Sequence, residues 1–156
     1  MEGNLIVFII IITVSDKEFL TFFFKRLRIN KTGHYTQDFP YISRCGPEIN
    51  FIKCESQPIV YTDIIAGELG NDRIVVNGIG ESFTFPFDPS KLFMFPKDGR
   101  VYHPTSKRAG GNGILKTSLA IELAPYFVFT NSGIDVDQPT QFQWKGQIYD
   151  LDNIAD

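Results

Sequence analysis

The segment Tyr102–Ser118 reads "YHPTSKRAGGNGILKTS" and gathers most of the residues in this chain whose types can do chemistry. It holds His103, the cations Lys107 and Arg108, and Gly110, Gly111 and Gly113. A nucleotide phosphate loop needs Gly, four residues, then Gly-Lys-Ser/Thr, because its amides wrap a phosphate at a helix start. Here Lys116-Thr117 follows Leu115 instead of glycine, and the next residues read as a strand, so a phosphate loop is excluded. The dinucleotide fingerprint also fails, since "GGNG" follows no βαβ pattern and lacks the third glycine spacing. An anion nest survives: successive amides around Gly110, Gly111 and Gly113, with Lys107 and Arg108 adding charge. The competing reading is a glycine loop that takes positive φ within a strand connection.

His103 suits general acid–base work at neutral pH. With Glu122 or a cysteine it would serve a hydrolase or transferase; alone beside a turn it is a hydrogen-bonding structural residue. Glu122 alternates with the presumed core face. On a closed sheet it would pair with Arg100 or Arg108, a structural role more often than a catalytic one. A zinc site would need Cys45, Cys54, His34 and His103. These four are scattered over 70 positions with no short ligand spacing, so no metal or other cofactor is expected. The cysteines carry no local signature of a nucleophile and read as half-buried structural thiols. No catalytic constellation is complete.

The elements that must position these residues follow from periodicity. "SDKE" (15–18) is a capping box, with Ser15 and Glu18 exchanging hydrogen bonds to each other's amides. It predicts a helix over about 15–30, with Phe19, Leu20, Phe23 and Leu27 as its buried stripe and Lys25, Arg26 and Arg28 complementing its C-terminal dipole. Before it, Leu5–Val14 is an apolar run of ten, half of what a membrane-spanning helix needs, and reads as a covered strand within residues 1–14. After it, 34–151 is β-rich. Strand-like runs occupy 34–44, 51–55, 58–66, 73–76, 82–87 and 100–103, with turns at "CGPE", "SQP", "NGIGE", "DPSK" and "PKDG". Residues 114–123 alternate at period two and predict a strand. Gln141–Trp144 and Gln147–Leu151 flank Lys145-Gly146 as a last hairpin, before a frayed polar tail.

The fold class is therefore α+β and predominantly antiparallel β: a partly closed sheet or small barrel with one N-terminal helix, in a single domain of 156 residues. Fifteen Phe and six Tyr agree with large packed β surfaces. The net charge of −3 argues against nucleic-acid or membrane-surface binding driven by bulk charge. Two cysteines make no disulfide framework, so a reducing compartment fits.

"FFFKRLRINKTGHYTQDFPYISRCGPEINFIKCESQPIVYT", "FPFDPSKL", "GRVYHPTSKRAGGNG" and "WKGQ" resemble an uncharacterised eukaryotic family, Uncharacterised Protein Family 0598, also known as domain of unknown function 4505. The resemblance covers about Asp16 to Leu151 and rests most on "YHP" and on Arg108–Gly113. It implies no established activity, and it implies a mitochondrial location. Yet "MEGNLIVFIIIITV" is not rich in Arg and Ser as a transit peptide should be. A fainter likeness, in the order helix, "G-Y", proline-containing strand and "ESQP" turn, is to the bacterial domain of unknown function 1285. That likeness implies two small β-rich lobes, one similar to a pleckstrin-homology barrel, and a ligand-binding regulatory role.

Three functions fit these residues. The foremost is a non-enzymatic ligand-binding or regulatory module that presents Arg100, His103, Arg108 and the glycine loop, with Lys107 and Glu122 among its site residues, to an anionic small molecule or an acidic partner segment. The others are a protein–protein adaptor using an exposed aromatic patch and the His103 hydrolase or transferase.

Overall fold

The computed structural model describes residues 5–10, 17–54, 56–68, 70–96, 98–129 and 138–152. The chain divides into two compact units, one built from Met1–Ile59 and Thr105–Asn112, the other from Val60–Pro104 and Gly113–Asp156.

In the first unit the chain runs through β1 (Leu5–Ile10), α1 (Lys17–Lys25), β2 (Leu27–Ile29), β3 (Tyr41–Cys45) and β4 (Glu48–Lys53). The strands form one sheet in the order β1-β4-β3-β2. β1 runs parallel to β4, and the other two ladders are antiparallel. The apolar run is thus a strand over Leu5–Ile10, as its length and β-branching predict. Ser15 of the capping box lies outside the described residues.

α1 exists because Leu20, Phe23 and Phe24 recur at helical spacing and are buried together. It stops sooner than its periodicity predicts. Leu27 is fully buried, but as a strand residue opposite Ser43. Sheet pairing overrides the helical repeat there, and 27–29 become β2 where a helix to about residue 30 was expected. Arg28 closes the helix end, its guanidinium Nη1 donating to the carbonyls of Lys25 at 3.0 Å and Leu27 at 2.7 Å. The Ser43 hydroxyl donates to the Phe23 carbonyl at 2.8 Å and fixes α1 on one face of the sheet. The opposite face carries Ile42, Ile49 and Phe51, packed by Phe39 and met edge-on by Tyr35. Buried Asn30 organises the loop after β2. Its amide donates to the carbonyls of His34 and Phe39, and its oxygen accepts from the Thr32 amide and hydroxyl.

The second unit contains β5 (Val60–Ile65), β6 (Arg73–Val76), β7 (Thr84–Pro86), β8 (Phe93–Met94), β9 (Val101–Pro104), β10 (Asn112–Leu115), α2 (Thr117–Leu123), β11 (Phe127–Val128), β12 (Gln141–Trp144) and β13 (Gln147–Asp150). Six strands form a sheet in the order β7-β6-β5-β10-β9-β8, and three form β11-β12-β13. β5 and β10 are parallel, with Leu115 beside Tyr61; the β5–β6, β6–β7, β8–β9, β11–β12 and β12–β13 ladders are antiparallel. Both predicted hairpins form. Asn77 and Gly78 take φ of 49° and 68° between β6 and β7, and Lys145 and Gly146 take 48° and 78° between β12 and β13. The core holds Tyr61, Ile74, Val76, Leu92, Val101, Leu115, Leu123 and Phe142.

The strand predicted for 114–123 is corrected to a strand end followed by α2. Leu115, Leu119 and Leu123 are buried, four apart, while Ile121 is 67% exposed. Apolar residues at every second position satisfy both periods, and burial selects the helical one. The described fold is mostly antiparallel β with a curled half-barrel sheet, α1 and one further short helix, an α+β protein as expected.

Candidate functional site

The basic glycine loop belongs to the first unit. Ser106 caps a 3₁₀ turn over Lys107–Ala109, its hydroxyl accepting from the Arg108 amide at 3.3 Å. The Ala109 and Gly111 amides donate to the Ser106 carbonyl, the Gly110 amide to that of Lys107, and the Thr105 amide to that of Gly111. Every amide from Arg108 to Gly111 therefore donates within the loop. A nest needs amides aimed at a ligand; in this loop they close the turn, and charge reaches solvent through side chains. Lys107 and Arg108 are exposed, and among the described residues neither takes part in an ion pair.

Gly110 must be glycine. Its φ is 107°, and a Cβ there would lie 3.3 Å from the Tyr41 hydroxyl on β3. The turn also packs beside β2. Tyr41 and Ser43 are two apart on β3, so the loop and α1 lie on one face of the sheet. Burial raises the Tyr41 phenol above its ordinary value, helped by Cys54 nearby, and burial likewise raises the Cys54 thiol, which keeps it protonated and unreactive. Cys45 and Cys54 are unpaired thiols at opposite ends of the β3–β4 hairpin.

His103 belongs to the second unit and is 3% exposed. Its Nε2 accepts the Asp88 amide at 3.1 Å, and its Nδ1 lies 3.0 Å from the Pro104 carbonyl. A carbonyl can only accept, so Nδ1 carries the proton and the ring is neutral. Phe87 stacks on the ring at 5.6 Å and Tyr61 meets it edge-on. Burial depresses its pKa below 6.5, against smaller opposing effects of the Pro104 carbonyl and Asp88. Both ring nitrogens are engaged by backbone, which leaves neither for a substrate proton.

The remaining predicted residues are dispersed in the second unit. Arg100 is exposed on the turn before β9, 3.9 Å from Asp98. Gly113 is buried in β10, and Glu122 is exposed on α2. No ion pair or hydrogen bond joins Arg100, His103 and Glu122 among the described residues. Among those residues no three His, Cys, Asp or Glu side chains gather as metal ligands, and no helix is long and apolar enough to cross a membrane.

A second polar centre left no signal in the sequence. Asp72, 4% exposed, accepts the Trp144 indole N–H at 2.8 Å, the Lys145 ammonium at 2.6 Å and the Gly67 amide at 2.8 Å. Burial alone would raise its pKa; Lys145, Gly67 and Trp144 outweigh it and hold the carboxyl below its ordinary value. Trp144 packs on Phe87, which stacks on His103, so the two centres share one aromatic wall. "WKG" in a hairpin turn was legible; its buried acid, 72 positions away, was not.

A β-rich α+β protein with two compact units, a self-closed basic turn and a neutral buried histidine is the class these features define. The chain belongs to the family described as Domain of unknown function (DUF4505), whose model matches residues 7–155. Among solved structures it is similar to a DUF1285 family protein from Silicibacter pomeroyi, with 14% identity, a TM-score of 0.50, and coverage of 96% of this chain and 81% of that one. A DUF1285 family protein from Shewanella baltica matches with 17% identity and a TM-score of 0.48, over 70% of this chain and 76% of that one. At such identities the first likeness shows the fold alone.

Proposed function

We propose that this chain is a non-enzymatic binding module that takes an anionic ligand or partner on the turn Ser106–Gly111. The observation that carries this reading is the pair of exposed cations, Lys107 and Arg108, on a turn rigidified by its own hydrogen bonds. Charge distribution supports it. The first unit holds nine Lys and Arg against six Asp and Glu, a net +3, whereas the second holds six against twelve, a net −6. A local positive surface on a chain of net −3 favours a specific anionic partner over indiscriminate binding to polyanions. The acid–base alternative has less support, because His103 is neutral, buried and hydrogen-bonded at both nitrogens. A mitochondrial setting, which the family resemblance implies, is part of the proposal and is checked by fractionating cells that express the tagged chain.

Thermal unfolding tests the binding role against inorganic phosphate, pyrophosphate, citrate and polyglutamate. A ligand at about 100 times its dissociation constant adds about 2.7 kcal/mol, which raises Tm by roughly 5–10 °C in a chain of this size. The shift is expected to vanish with Arg108→Ala and to shrink in about 0.5 M salt. No shift with any anion, or an equal shift in Arg108→Ala, refutes it.

A further inference from the structure

The exposed side of α1 carries a feature that its sheet packing does not explain. Leu20, Phe23 and Phe24 face the sheet, whereas Phe22 on the opposite side is 41% exposed, and Phe19, whose ring lies 5.8 Å from that of Phe23 at the flank, is 42% exposed. Positions 19, 22 and 26 fall on one face of a helix continued by one residue. There Arg26 lies over the Phe22 ring, its guanidinium carbon 3.6 Å from the ring centroid. One of its N–H groups donates to the Phe22 carbonyl; an arginine has five, so others remain to meet a carboxylate. Lys25 is exposed beside it. α1 and the turn bearing Lys107 and Arg108 lie on the same face of the sheet and within the same net-positive unit.

We propose that α1 and this turn form one docking surface for an acidic protein segment that also carries apolar side chains. This rests on the reading of the turn as an anion-binding element and names its partner. Three observations choose this occupant. The loop amides are engaged within the turn, so a small phosphate has no backbone cradle and meets only exposed side chains. An extended segment reaches cations on both elements at once, which dispersed charges suit. Two rings are also too few for a membrane: an interfacial helix buries a whole apolar face in lipid, and α1 has already committed its own to the sheet. Phe19 and Phe22 instead match the few anchors of a helix-groove or peptide contact, with Arg26 and Arg108 pairing carboxylates beside them.

The test is fluorescence anisotropy with a labelled peptide of about twelve residues alternating Glu or Asp with Leu or Phe. Its controls are an acidic peptide with Ser at the apolar positions and an apolar peptide with Gln at the acidic ones. Wild type is expected to bind the first peptide at least tenfold more tightly than either control. Phe22→Ser, a surface change whose fold is checked by circular dichroism, should reduce affinity to that of the acidic control. Lys107→Glu with Arg108→Glu should abolish binding to both acidic peptides. If the Ser-containing peptide binds equally well and Phe22→Ser changes nothing, the surface inference fails while the basic-turn reading stands. If charge reversal changes nothing, both fail. Tighter binding to phosphatidylserine vesicles than to the peptide, or self-association of the chain that Phe22→Ser dissolves in sedimentation, would also overturn it.

Discussion

At the scale of single residues, His103 stays neutral at pH values where a solvated imidazole would take up a proton. Burial keeps it neutral, while the unfolded chain titrates near the ordinary value of 6.5. As pH falls below about 6.5 the unfolded state therefore binds more protons than the folded state, and stability declines. The decline amounts to at most about 1.4 kcal/mol per pH unit and levels off once pH passes the depressed folded-state value. Above 6.5 this group contributes no pH dependence. Urea unfolding of wild type between pH 5 and 7.5 should show that slope, and His103→Gln should remove it even where it lowers stability overall. A wild-type curve flat across this range would contradict the buried neutral ring. The sequence offered His103 as a base or a brace, and no residue near it in the chain separates the two. Asp88 and Pro104 backbone groups decide it, and the Asp88 amide arrives from 15 positions away.

Among the elements, the β12–β13 hairpin shows how a local motif gains a long-range anchor. Lys145-Gly146 specifies the turn through positive φ alone, which is why it was legible. Asp72, just before β6, ties the hairpin to the six-stranded sheet through Trp144 and Lys145. Removing that carboxylate leaves the half-buried Trp144 indole without its acceptor, at about 1–3 kcal/mol, whereas the exposed Gly67 amide turns to water. The ion pair with half-exposed Lys145 adds little to this in water. Asp72→Ala should thus cost about 1–3 kcal/mol in urea unfolding, and Lys145→Met much less; equal losses would show that the ion pair dominates. Because the Asp72 pKa is lowered, its contribution is present above about pH 3.8 and is lost as pH falls through the folded-state value. That window is separate from the one in which His103 acts. α1 and α2 make the complementary point. Their apolar spacing announced Leu20, Phe23, Leu27, Leu119 and Leu123 as buried, but it also assigned Phe19 and Ile121 to the buried side, and these are 42% and 67% exposed; the choice between strand and helix at Leu27 and around Ile121 depended on which neighbours were there to pair or pack.

For the molecule as a whole, the chain enters the first unit twice, through 1–59 and again through 105–112. The returning turn packs beside β2 and sets Gly110 against Tyr41. A fragment of residues 1–59 lacks that cover and should unfold without a cooperative transition, whereas the full chain unfolds cooperatively; circular dichroism in urea compares them. A sharp transition in the fragment would mean the turn adds nothing to the unit. By itself the sequence determined the α+β class, the order of most strands, both glycine-containing hairpin turns and the exclusion of a phosphate loop. Each of these depends on local dihedral preference or short-range periodicity, which neighbouring residues encode. Only the tertiary structure decided that the amides of Arg108 to Gly111 close on themselves, that His103 is a neutral brace, and that Phe22 and Arg108 lie on one side of a sheet. The loop bonds span at most five residues but depend on dihedral angles that residue types alone do not encode, and the other two outcomes depend on partners 15 or more positions away, whose burial and hydrogen-bond satisfaction leave no periodic trace along the chain.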